Sequence, residues 1–443
     1  MKRGSSLACA LVVVAGCGGA SARPEAPRAE PFATSADAIL FDGAQVFDGE
    51  RFAALDVLVE GARITHVAPE IEAPTARHVD GAGHTLLPGL IDAHTHAGME
   101  PRSLRLAAAF GVTLEVDLFG PPHRLGPARE AEREGHGTEL ADLRGAGTLA
   151  TVPAGHGTEY GIPIPTLSQP EEADAFVAAR LAEGSDYLKI VYDHWAAPGS
   201  DTPFMPTLSL ETVRALVTAA HARERLAIVH VGLESDAFDV VSAGADGLAH
   251  LFSDRAPRPE LVALMVAQHT FVIPTLTTEA RGCDVDGNGR TVADDPAIAA
   301  WLLESDLARL RRVRDFDRRE ACFETISASL RTLRDAGVPI LAGTDAINAG
   351  TTHGASLHGE LAMLVAAGLS IEEALRAATS TPARVLGLEG RGRIVEGARA
   401  DLVLVEGDVS TDIHATRHIA LVLHAGREVP RPAPIPADPS SEE

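Results

Sequence analysis

Short apolar runs alternate with longer amphipathic stretches through the middle of the chain. The amphipathic stretches, such as Ser209–Arg225 and Leu303–Ala336, have the apolar spacing of helices. The apolar runs predict eight strands: Leu90–His96, Val112–Asp117, Thr148–Pro153, Asp186–Tyr192, Leu226–Val231, Asp246–Leu251, Thr270–Pro274 and Val338–Thr344. This alternation is typical of parallel α/β folds, and eight repeats predict a TIM (β/α)8 barrel with its active site at the C-terminal ends of the strands.

Both flanks of this middle region are rich in short β-type runs. They lie between Ile39 and Asp80 on one side and between Gly392 and His424 on the other. Because chain termini often lie close together, the flanks are predicted to form one small β-sandwich. The predicted boundaries are 37–87 and 389–432 for the sandwich, 88–388 for the barrel, and 433–443 for a disordered tail.

The first 36 residues are predicted to direct export. Lys2 and Arg3 precede an apolar run, Leu7–Ala15, that is too short to span a bilayer. The tetrapeptide that ends in Cys17 resembles the lipobox of bacterial lipoproteins, which predicts a signal peptide at 1–16, lipid on Cys17 and a flexible tether at 17–36. The expected location is the outer membrane, facing the periplasm. The alternative is a plain secretory signal with an incidental cysteine.

Composition and charge narrow the class of partner. The hydrophobic content of 45% and charged content of 23% are ordinary for a folded globular protein. A net charge of -24 argues against a surface for nucleic acid or anionic membranes. We therefore expect a small-molecule substrate, membrane contact through the lipid anchor only, and no nucleic-acid partner. Oligomeric state is left open.

Four cysteines reduce to two candidates for a disulfide. Cys9 would leave with the signal peptide and Cys17 would carry lipid, so Cys283 and Cys322 remain. In an oxidising periplasm these two thiols are predicted to pair, and the alternative is two free buried thiols.

The longest irregular stretch, Thr275–Pro296, resembles the start of a calcium loop. Oxygen-bearing side chains recur at alternate positions, Gly287 allows a turn, and an aspartate occupies the twelfth loop position; the candidate calcium ligands are Asp284, Asp286, Asn288 and Asp295. The alternative is an ordinary polar surface loop.

Ionisable residues fall near the C-terminal ends of five predicted strands. His94 and His96 lie two positions apart, so on a strand they face the same side and can reach one metal ion. Parallel barrel strands should be nearly continuous apolar runs, so these polar residues need a reason. Any one of them alone is explained as a core, rim or loop residue. The joint pattern favours a metal site formed by His94, His96, Lys189, His230, His250 and Asp345.

Chemically, this set describes a two-metal hydrolytic site. Imidazoles and carboxylates are ligands for zinc, the favoured metal, or a similar divalent ion. Two ions about 3.5–4 Å apart need an anionic bridge, and the water between them becomes hydroxide near neutral pH. Lys189 can supply the bridge after reacting with carbon dioxide to form a carbamate. Asp345 would bind one metal, take the proton of the bridging water and pass it to the leaving group.

These residues, with the phrases LLPGLIDAHTH, AGTDA and GRIVEGARADLVLV, resemble the amidohydrolase superfamily over roughly Ala38–Val429. The pattern is most similar to the subgroup of bacterial Xaa-Pro dipeptidases and imidazolonepropionases. Lys189 favours the dipeptidase-like side, whose members use two zinc ions and a carboxylated lysine. The resemblance implies that His94, His96 and Asp345 bind the more buried metal, that His230 and His250 bind the second, and that carboxylated Lys189 bridges them.

Further site residues are expected in the loops after the third and fourth strands. The glycine-rich AGHGTEYG stretch contains Tyr160 and His156, which the resemblance implies anchors or polarises substrate. The Tyr192 hydroxyl is a candidate donor to the oxyanion, with core packing as the alternative, and His194 is a candidate pocket residue. His353 and His358 are interpreted as helix-start or surface residues.

The predicted function is metal-dependent hydrolysis of an amide bond in a dipeptide, Xaa-Pro-like substrate or N-acyl amino acid. The same centre could instead open a cyclic amide, lactone or phosphotriester, since the superfamily uses one centre for many bonds. An alternative from another class is a non-catalytic surface lipoprotein that binds metal or ligand.

Overall fold

The computed structural model describes residue 35 and residues 37–99, 102–135, 137–196, 203–313 and 322–431. The predicted signal peptide, Cys17, nearly all of the tether and the C-terminal tail therefore lie outside the described residues. In the described part of the chain, no helix is long and apolar enough to cross a membrane.

The strands form three sheets. In chain order they are β1 Ile39–Phe47, β2 Phe52–Glu60, β3 Arg63–Ala68, β4 Arg77–Asp80, β5 His84–Pro88, β6 Leu90–Thr95, β7 Val112–Asp117, β8 Asp142–Gly145, β9 Leu188–Val191, β10 Ala227–His230, β11 Gly247–Ala249, β12 Phe271–Ile273, β13 Leu402–Glu406, β14 Ile419–His424 and β15 Arg427–Glu428. The first five and last three strands form an eight-stranded sheet, whereas β6–β8 and β9–β12 form two smaller sheets.

Helices cover most of the connections between the barrel strands. In chain order they are α1 Ser103–Ala109, α2 Leu125–Glu134, α3 Ala173–Ala182, α4 Leu210–His221, α5 Glu234–Ser242, α6 Pro259–Gln268, α7 Leu276–Glu279, α8 Gly289–Asp294, α9 Pro296–Ala299, α10 Glu304–Leu310, α11 Cys322–Asp335, α12 Ala355–Ala366, α13 Ile371–Ala377 and α14 Ser380–Val385. Side-chain caps fix several starts: the hydroxyls of Ser209 and Ser370 accept backbone N–H groups of α4 and α13.

The middle of the chain has a TIM-barrel-like α/β fold. The strands within β6–β8 and within β9–β12 pair in parallel. Isolated bridges join the two sheets into what we call the barrel ring: Ala150 pairs with Ile190, Val272 with Ile340, and Thr95 with Ala346. The middle sheets therefore surround one centre without forming one continuous ladder.

Two predicted barrel strands need correction. The third strand of the ring is β8, which ends at Gly145, and the predicted Thr148–Pro153 contributes only the bridge at Ala150. Gly147, in a left-handed conformation with φ 61°, turns the chain between them. In the predicted strand Val338–Thr344, only Ile340 forms a β-bridge. The rest of this segment is joined to the neighbouring segments by individual backbone hydrogen bonds. The expected continuous eight-stranded barrel is thus interrupted at two places.

Both flanks of the chain join in one sheet. The C-terminal β13 pairs antiparallel with β5, and β5 pairs with β1. Of the predicted β-type runs, Gly392–Ile394 forms no strand. The arrangement of this sheet as a sandwich remains a prediction.

Alternation along the barrel strands decides which side chains reach the centre. Ile91 and Ile228 pack in an apolar cluster inside the ring, whereas Leu188 and Ile190 pack in the cluster shared with the helices. Successive strand residues point to opposite faces, so Lys189, between the last two, points to the inside. Any polar atom at this position loses contact with bulk water.

Candidate metal centre

His94 and His96 meet one carboxylate at the end of β6. The Nε2 atoms of His94 and His96 lie 3.3 Å and 2.9 Å from Oδ1 of Asp345. The His96 Nδ1 atom lies 3.0 Å from the Phe119 carbonyl, to which it donates when Nε2 carries the lone pair. The two-residue spacing therefore presents two imidazoles to the same carboxylate.

The buried carboxylate of Asp92 ties this strand to the segment before Asp345. It accepts the backbone N–H groups of His94 and Thr344 at 3.2 Å and 3.0 Å, and the Thr344 hydroxyl at 2.7 Å. A buried carboxylate with several donors is held in one orientation. Asp92 thus fixes the backbone on both sides of the His94–Asp345 contact.

Three consecutive segments of the ring end in residues with left-handed backbone. The φ angles are 75° at His250, 47° at Thr275 and 57° at Asp345. Such conformations are uncommon outside glycine, especially for a β-branched residue, and they cluster at functional sites. Here they turn the side chains of His250 and Asp345 toward the centre.

His230 and His250 form the second pair of imidazoles, with ring centroids 4.6 Å apart. Nδ1 of His250 lies 2.7 Å from the Thr275 hydroxyl and 3.5 Å from a Glu279 oxygen. Nε2 of His230 lies 3.5 Å from an oxygen of Asp193. Each imidazole is therefore engaged through one nitrogen, which leaves its other nitrogen for the centre.

Burial and charge hold three of these groups in metal-binding protonation states. Burial lowers the pKa of His94 and of His250 well below the usual value, with neighbouring positive charge acting in the same direction. Burial alone would raise the pKa of Asp345, but the imidazoles of His94, His96 and His250 hold it well below its usual range. Ligand atoms of His94, His250 and Asp345 all lie within 4.8 Å of one another. Neutral imidazole and ionised carboxylate are the forms that bind cations.

Lys189 completes the set from β9. Its side chain is 3% exposed, and Nζ has no hydrogen-bond partner among the described residues. Burial lowers the pKa of Lys189 to about 7, although the charge of Asp345 opposes this shift. An uncompensated ammonium would be costly here, whereas a neutral amine is a nucleophile. Lys2 and Lys189 are the only lysines in the sequence, and apart from histidine every other basic residue is arginine.

The donor set fits a centre for divalent metal ions. Nitrogen and carboxylate donors converge on one buried place, and an orphaned buried amine lies among them. Such a set suits zinc and related ions. The residues that would hold the ions are His94, His96, Lys189, His230, His250 and Asp345.

Seven aromatic rings form a closed circuit around this place. Beginning and ending at His94, the circuit passes through His96, Phe119, Tyr160, His156, His230 and His250, with centroid separations of 5.6, 6.2, 6.0, 6.0, 4.9, 4.6 and 4.9 Å. Four members are candidate metal ligands. The other three, Phe119, Tyr160 and His156, form the opposite wall.

His156 and Tyr160 therefore lie where the sequence predicts substrate contacts. Nδ1 of His156 lies 2.8 Å from an oxygen of Glu159, and its ring neighbours that of His230. The Tyr160 side chain is 48% exposed. Whether either residue contacts substrate stays a prediction.

Tyr192 is placed differently from the predicted oxyanion donor. Its hydroxyl donates to Asp239 at 3.1 Å, and its ring packs in the cluster shared with the helices. Three positions separate it from Lys189, so the two side chains face opposite sides of the sheet. This contact and the packing of the ring favour the packing alternative, and the role of Tyr192 as an oxyanion donor stays a prediction. His194, 40% exposed by its side chain, contacts Asp236 through Nδ1 at 2.9 Å.

His353 and His358 lie at the start of α12, as predicted, but both are buried, which corrects the surface alternative. Nδ1 of His353 contacts both oxygens of Glu115 at 3.0 and 3.1 Å. Nε2 of His358 lies 2.9 Å from the Phe110 carbonyl. The two side chains tie the α12 region to β7, which contains Glu115, and to Phe110 at the end of α1.

The predicted calcium loop does not assemble a cation cage in the structure. Asn288 caps α8, and Asp295 caps α9 while contacting Arg417 at 3.0 Å. Asp286 turns toward His414, 3.0 Å away. These oxygens serve as helix caps and ion-pair partners, so they point in different directions. Among the described hydrogen bonds and ion pairs, none joins Asp284 to Asp286, Asn288 or Asp295. The structure therefore favours the polar-loop alternative.

Cys283 is disulfide-bonded. The side chain of its predicted partner, Cys322, lies outside the described residues, so the pairing stays a prediction.

Sequence reasoning missed the residues that hold the ligands in place. These are Asp193 beside His230, Thr275 and Glu279 beside His250, and Glu360. The Glu360 carboxylate accepts the N–H groups of Leu276 and Thr277 at 3.0 Å and 2.8 Å, at the start of α7 directly after Thr275. One signal was available: Glu360 is the single carboxylate in the largely apolar helix α12.

Comparison with known proteins decides the family. The amidohydrolase family model matches residues 138–429, well over half of the chain. The chain belongs to the amidohydrolase family. The protein is accordingly a hydrolase that acts on carbon–nitrogen bonds, and metal binding accords with a family that typically uses divalent ions.

Relatives of this amidohydrolase cover most of its length. An uncharacterised protein of Mycobacterium tuberculosis is 27% identical over 358 residues, which are 78% of this chain and 85% of the relative. An imidazolonepropionase of Cereibacter sphaeroides is 29% identical over 376 residues, 80% of this chain and 88% of the relative. The crystal structure of a Xaa-Pro dipeptidase with bound methionine matches with a TM-score of 0.69 at 22% identity, over 88% of this chain and 99% of that one. The last likeness supports the fold.

Proposed function

We propose that this amidohydrolase cleaves an amide bond of a small substrate at a two-metal centre. The observation that carries the proposal is the convergence of His94, His96 and Asp345 with His230 and His250 around a buried lysine. A structural role alone would not require five ionisable side chains to share one buried place.

When bound, two divalent ions supply an activated water and polarise the scissile carbonyl. Asp345 is placed to move the proton. Its carboxylate takes one proton from the attacking water as the oxygen bonds to the carbonyl carbon, and returns it to the nitrogen as the C–N bond breaks. The amide side chain of Asn348 donates to Oδ2 of Asp345 at 2.8 Å, which orients the carboxylate for this exchange.

Lys189 is proposed to act as a carbamate. Its neutral amine attacks carbon dioxide, a C–N bond forms, and one proton is released. The resulting carbamate has two oxygens and a negative charge. It would add these to a ligand set that otherwise consists mainly of histidine imidazoles. The guanidinium of arginine is always charged, so it cannot do this; Lys189 is the one lysine beyond the first two residues.

His156 is proposed to hold the substrate carboxylate or carbonyl oxygen. The contact with Glu159 occupies Nδ1, so Nε2 is the nitrogen available to the substrate. The preferred substrates are dipeptides, including Xaa-Pro dipeptides, or N-acyl amino acids. Support for cleavage of a carbon–nitrogen bond comes from the related imidazolonepropionase, and support for a dipeptide substrate comes from the Xaa-Pro dipeptidase of similar fold.

A substrate panel tests this proposal. Protein supplied with zinc and bicarbonate is offered Xaa-Pro dipeptides, N-acetyl amino acids, a cyclic amide, a lactone and a phosphotriester. We expect hydrolysis of linear amides, abolished in Asp345→Asn and retained in the exposed control Asp335→Asn. Turnover of only the lactone or phosphotriester would contradict amide cleavage. Metal binding without turnover of any substrate by the wild type would favour a non-catalytic binding protein.

We further propose that the chain is an exported lipoprotein anchored through Cys17. Support comes from the short basic start and the apolar run before this cysteine. Mass spectrometry of the mature N-terminus should find a lipid-modified Cys17, and Cys17→Ala should release the protein from membranes. An unmodified mature N-terminus at another residue would contradict the proposal.

A further inference from the structure

Two aromatic residues, Tyr160 and Phe204, are exposed to solvent, and together we call them the aromatic surface. Aromatic residues make up only 4% of the chain, yet Phe204 and Tyr160 are 74% and 48% exposed. Both belong to loops that follow strands of the barrel ring, on the side where His230 and His250 end their segments. An exposed large ring costs solvation free energy, and clustered exposed rings mark binding surfaces.

The two loops lie against each other. A side chain at Gly155 would collide with the Pro206 carbonyl, so glycine permits the close approach of the Tyr160 loop to the Phe204 loop. The Phe204 N–H donates to the Trp195 carbonyl at 2.8 Å, and their rings lie 5.9 Å apart. Trp195 in turn borders Gly232, two residues after His230.

At Tyr160, this aromatic surface adjoins the candidate metal centre. Tyr160 contacts both Phe119 and His156, at 6.0 Å between ring centroids in each case. Phe119 and His156 next contact His96 and His230, which are candidate metal ligands. A single side chain therefore separates Tyr160 from the candidate metal ligands. If the scissile bond of a substrate lies at the metal centre, an aromatic ring attached close to that bond would reach Tyr160.

Negative charges beside the aromatic surface disfavour a negatively charged group on the part of the substrate that binds there. Carboxylates of Glu159 and Asp193 border this surface, each in contact with a histidine. The Trp195 N–H also donates to Asp193 at 2.9 Å, which holds that carboxylate beside the rings. A negatively charged substituent placed here would meet like charge at close range.

We propose that the preferred substrate carries an uncharged aromatic group next to the scissile amide, bound against Tyr160 and Phe204. This inference rests on the proposed amide hydrolysis and names the substrate class for that same site. Tyr160 and Phe204 would determine specificity and take no part in bond cleavage.

Binding of small carboxylic acids tests the inference independently of turnover. Calorimetric titrations of zinc-supplied protein compare 3-phenylpropanoate, butanoate and succinate. Burial of a phenyl ring predicts that 3-phenylpropanoate binds about tenfold or more tightly than the other two. Tyr160→Ala and Phe204→Ala should each remove most of this preference without weakening butanoate, and the exposed control Val266→Ala should keep it.

Equal binding of the three acids, or equal weakening of all three in the variants, would overturn the inference. A parallel assay follows hydrolysis of N-acetyl-L-phenylalanine and N-acetyl-L-alanine. Equal kcat/KM for both would overturn the inference and leave amide hydrolysis standing. A retained phenyl preference in binding, without hydrolysis of any dipeptide or N-acyl amino acid offered, would overturn the proposed function and keep the aromatic surface.

Discussion

Nδ1 of His250 lies 2.7 Å from the hydroxyl oxygen of Thr275, in a buried contact between the ends of β11 and β12. With the threonine oxygen as acceptor, the imidazole carries its proton on Nδ1 and presents the Nε2 lone pair to the centre. Thr275 holds this position with a left-handed backbone, which a β-branched residue rarely adopts. The contact therefore fixes the orientation of a candidate metal ligand, and with the hydroxyl as acceptor it also sets the tautomer.

Replacing Thr275 tests this relationship. Thr275→Val keeps the shape of the side chain and removes the acceptor, so zinc affinity should fall by about 10- to 100-fold. Competition with a chelating dye measures the affinity, and circular dichroism checks the fold. Thr332→Val, an exposed helical threonine, serves as the control. Unchanged affinity in Thr275→Val would mean that the hydroxyl does not position His250.

Glu360 predicts a pH dependence of stability. Burial raises the pKa of Glu360 to about 7, against the hydrogen bonds from Thr277 and Leu276 that favour the carboxylate. The folded protein thus retains a proton that the unfolded chain loses near the ordinary glutamate pKa of 4.5. Its contribution to stability is complete below that value and is lost as pH rises through about 7, by roughly 3 kcal/mol.

Denaturant unfolding at pH 5 and pH 8 measures the effect. The free energy of unfolding of wild type should fall over this interval relative to Glu360→Gln, which cannot ionise. Exposed Glu211→Gln should follow wild type. Parallel curves for wild type and Glu360→Gln would show that Glu360 ionises alike in folded and unfolded protein.

Carboxylation of Lys189 is open to direct observation. Protein equilibrated with ¹³C-bicarbonate and zinc should give one carbamate carbon resonance, which disappears in Lys189→Arg. Arg214→Lys adds an exposed lysine, whose ammonium stays protonated at neutral pH, and should add no resonance. Persistence of the signal in Lys189→Arg would assign it elsewhere.

The disulfide of Cys283 predicts a specific cross-link. Peptide mapping without reductant should recover the peptides of Cys283 and Cys322 as one species, which separates after reduction. Both thiols found free in protein isolated from the periplasm would contradict this pairing.

The sequence predicts most of the centre because strand geometry imposes simple rules. The two-residue spacing of His94 and His96 places both at Asp345, and a lysine inside an apolar strand has few explanations other than function. Tyr192 lies three positions from Lys189 and packs with the cluster shared with the helices, so alternation favours a packing role for it.

Other features depend on tertiary contacts that no local pattern contains. Thr275 contacts His250, which lies 25 residues away along the chain, and Glu360 contacts Leu276, which lies 84 residues away. The interruption of the third barrel strand follows from a turn at Gly147. Asp286, Asn288 and Asp295 have the spacing of a calcium loop, yet helix capping and ion pairs direct them apart.

One chain is proposed to hold two divalent ions through His94, His96, Lys189, His230, His250 and Asp345. Zinc titration of metal-free protein in bicarbonate buffer, followed by elemental analysis after gel filtration, measures the stoichiometry. We expect two zinc ions per chain in wild type and one in His230→Ala, with circular dichroism unchanged. Fewer than two ions per chain in wild type, or two in His230→Ala, would contradict the two-metal centre.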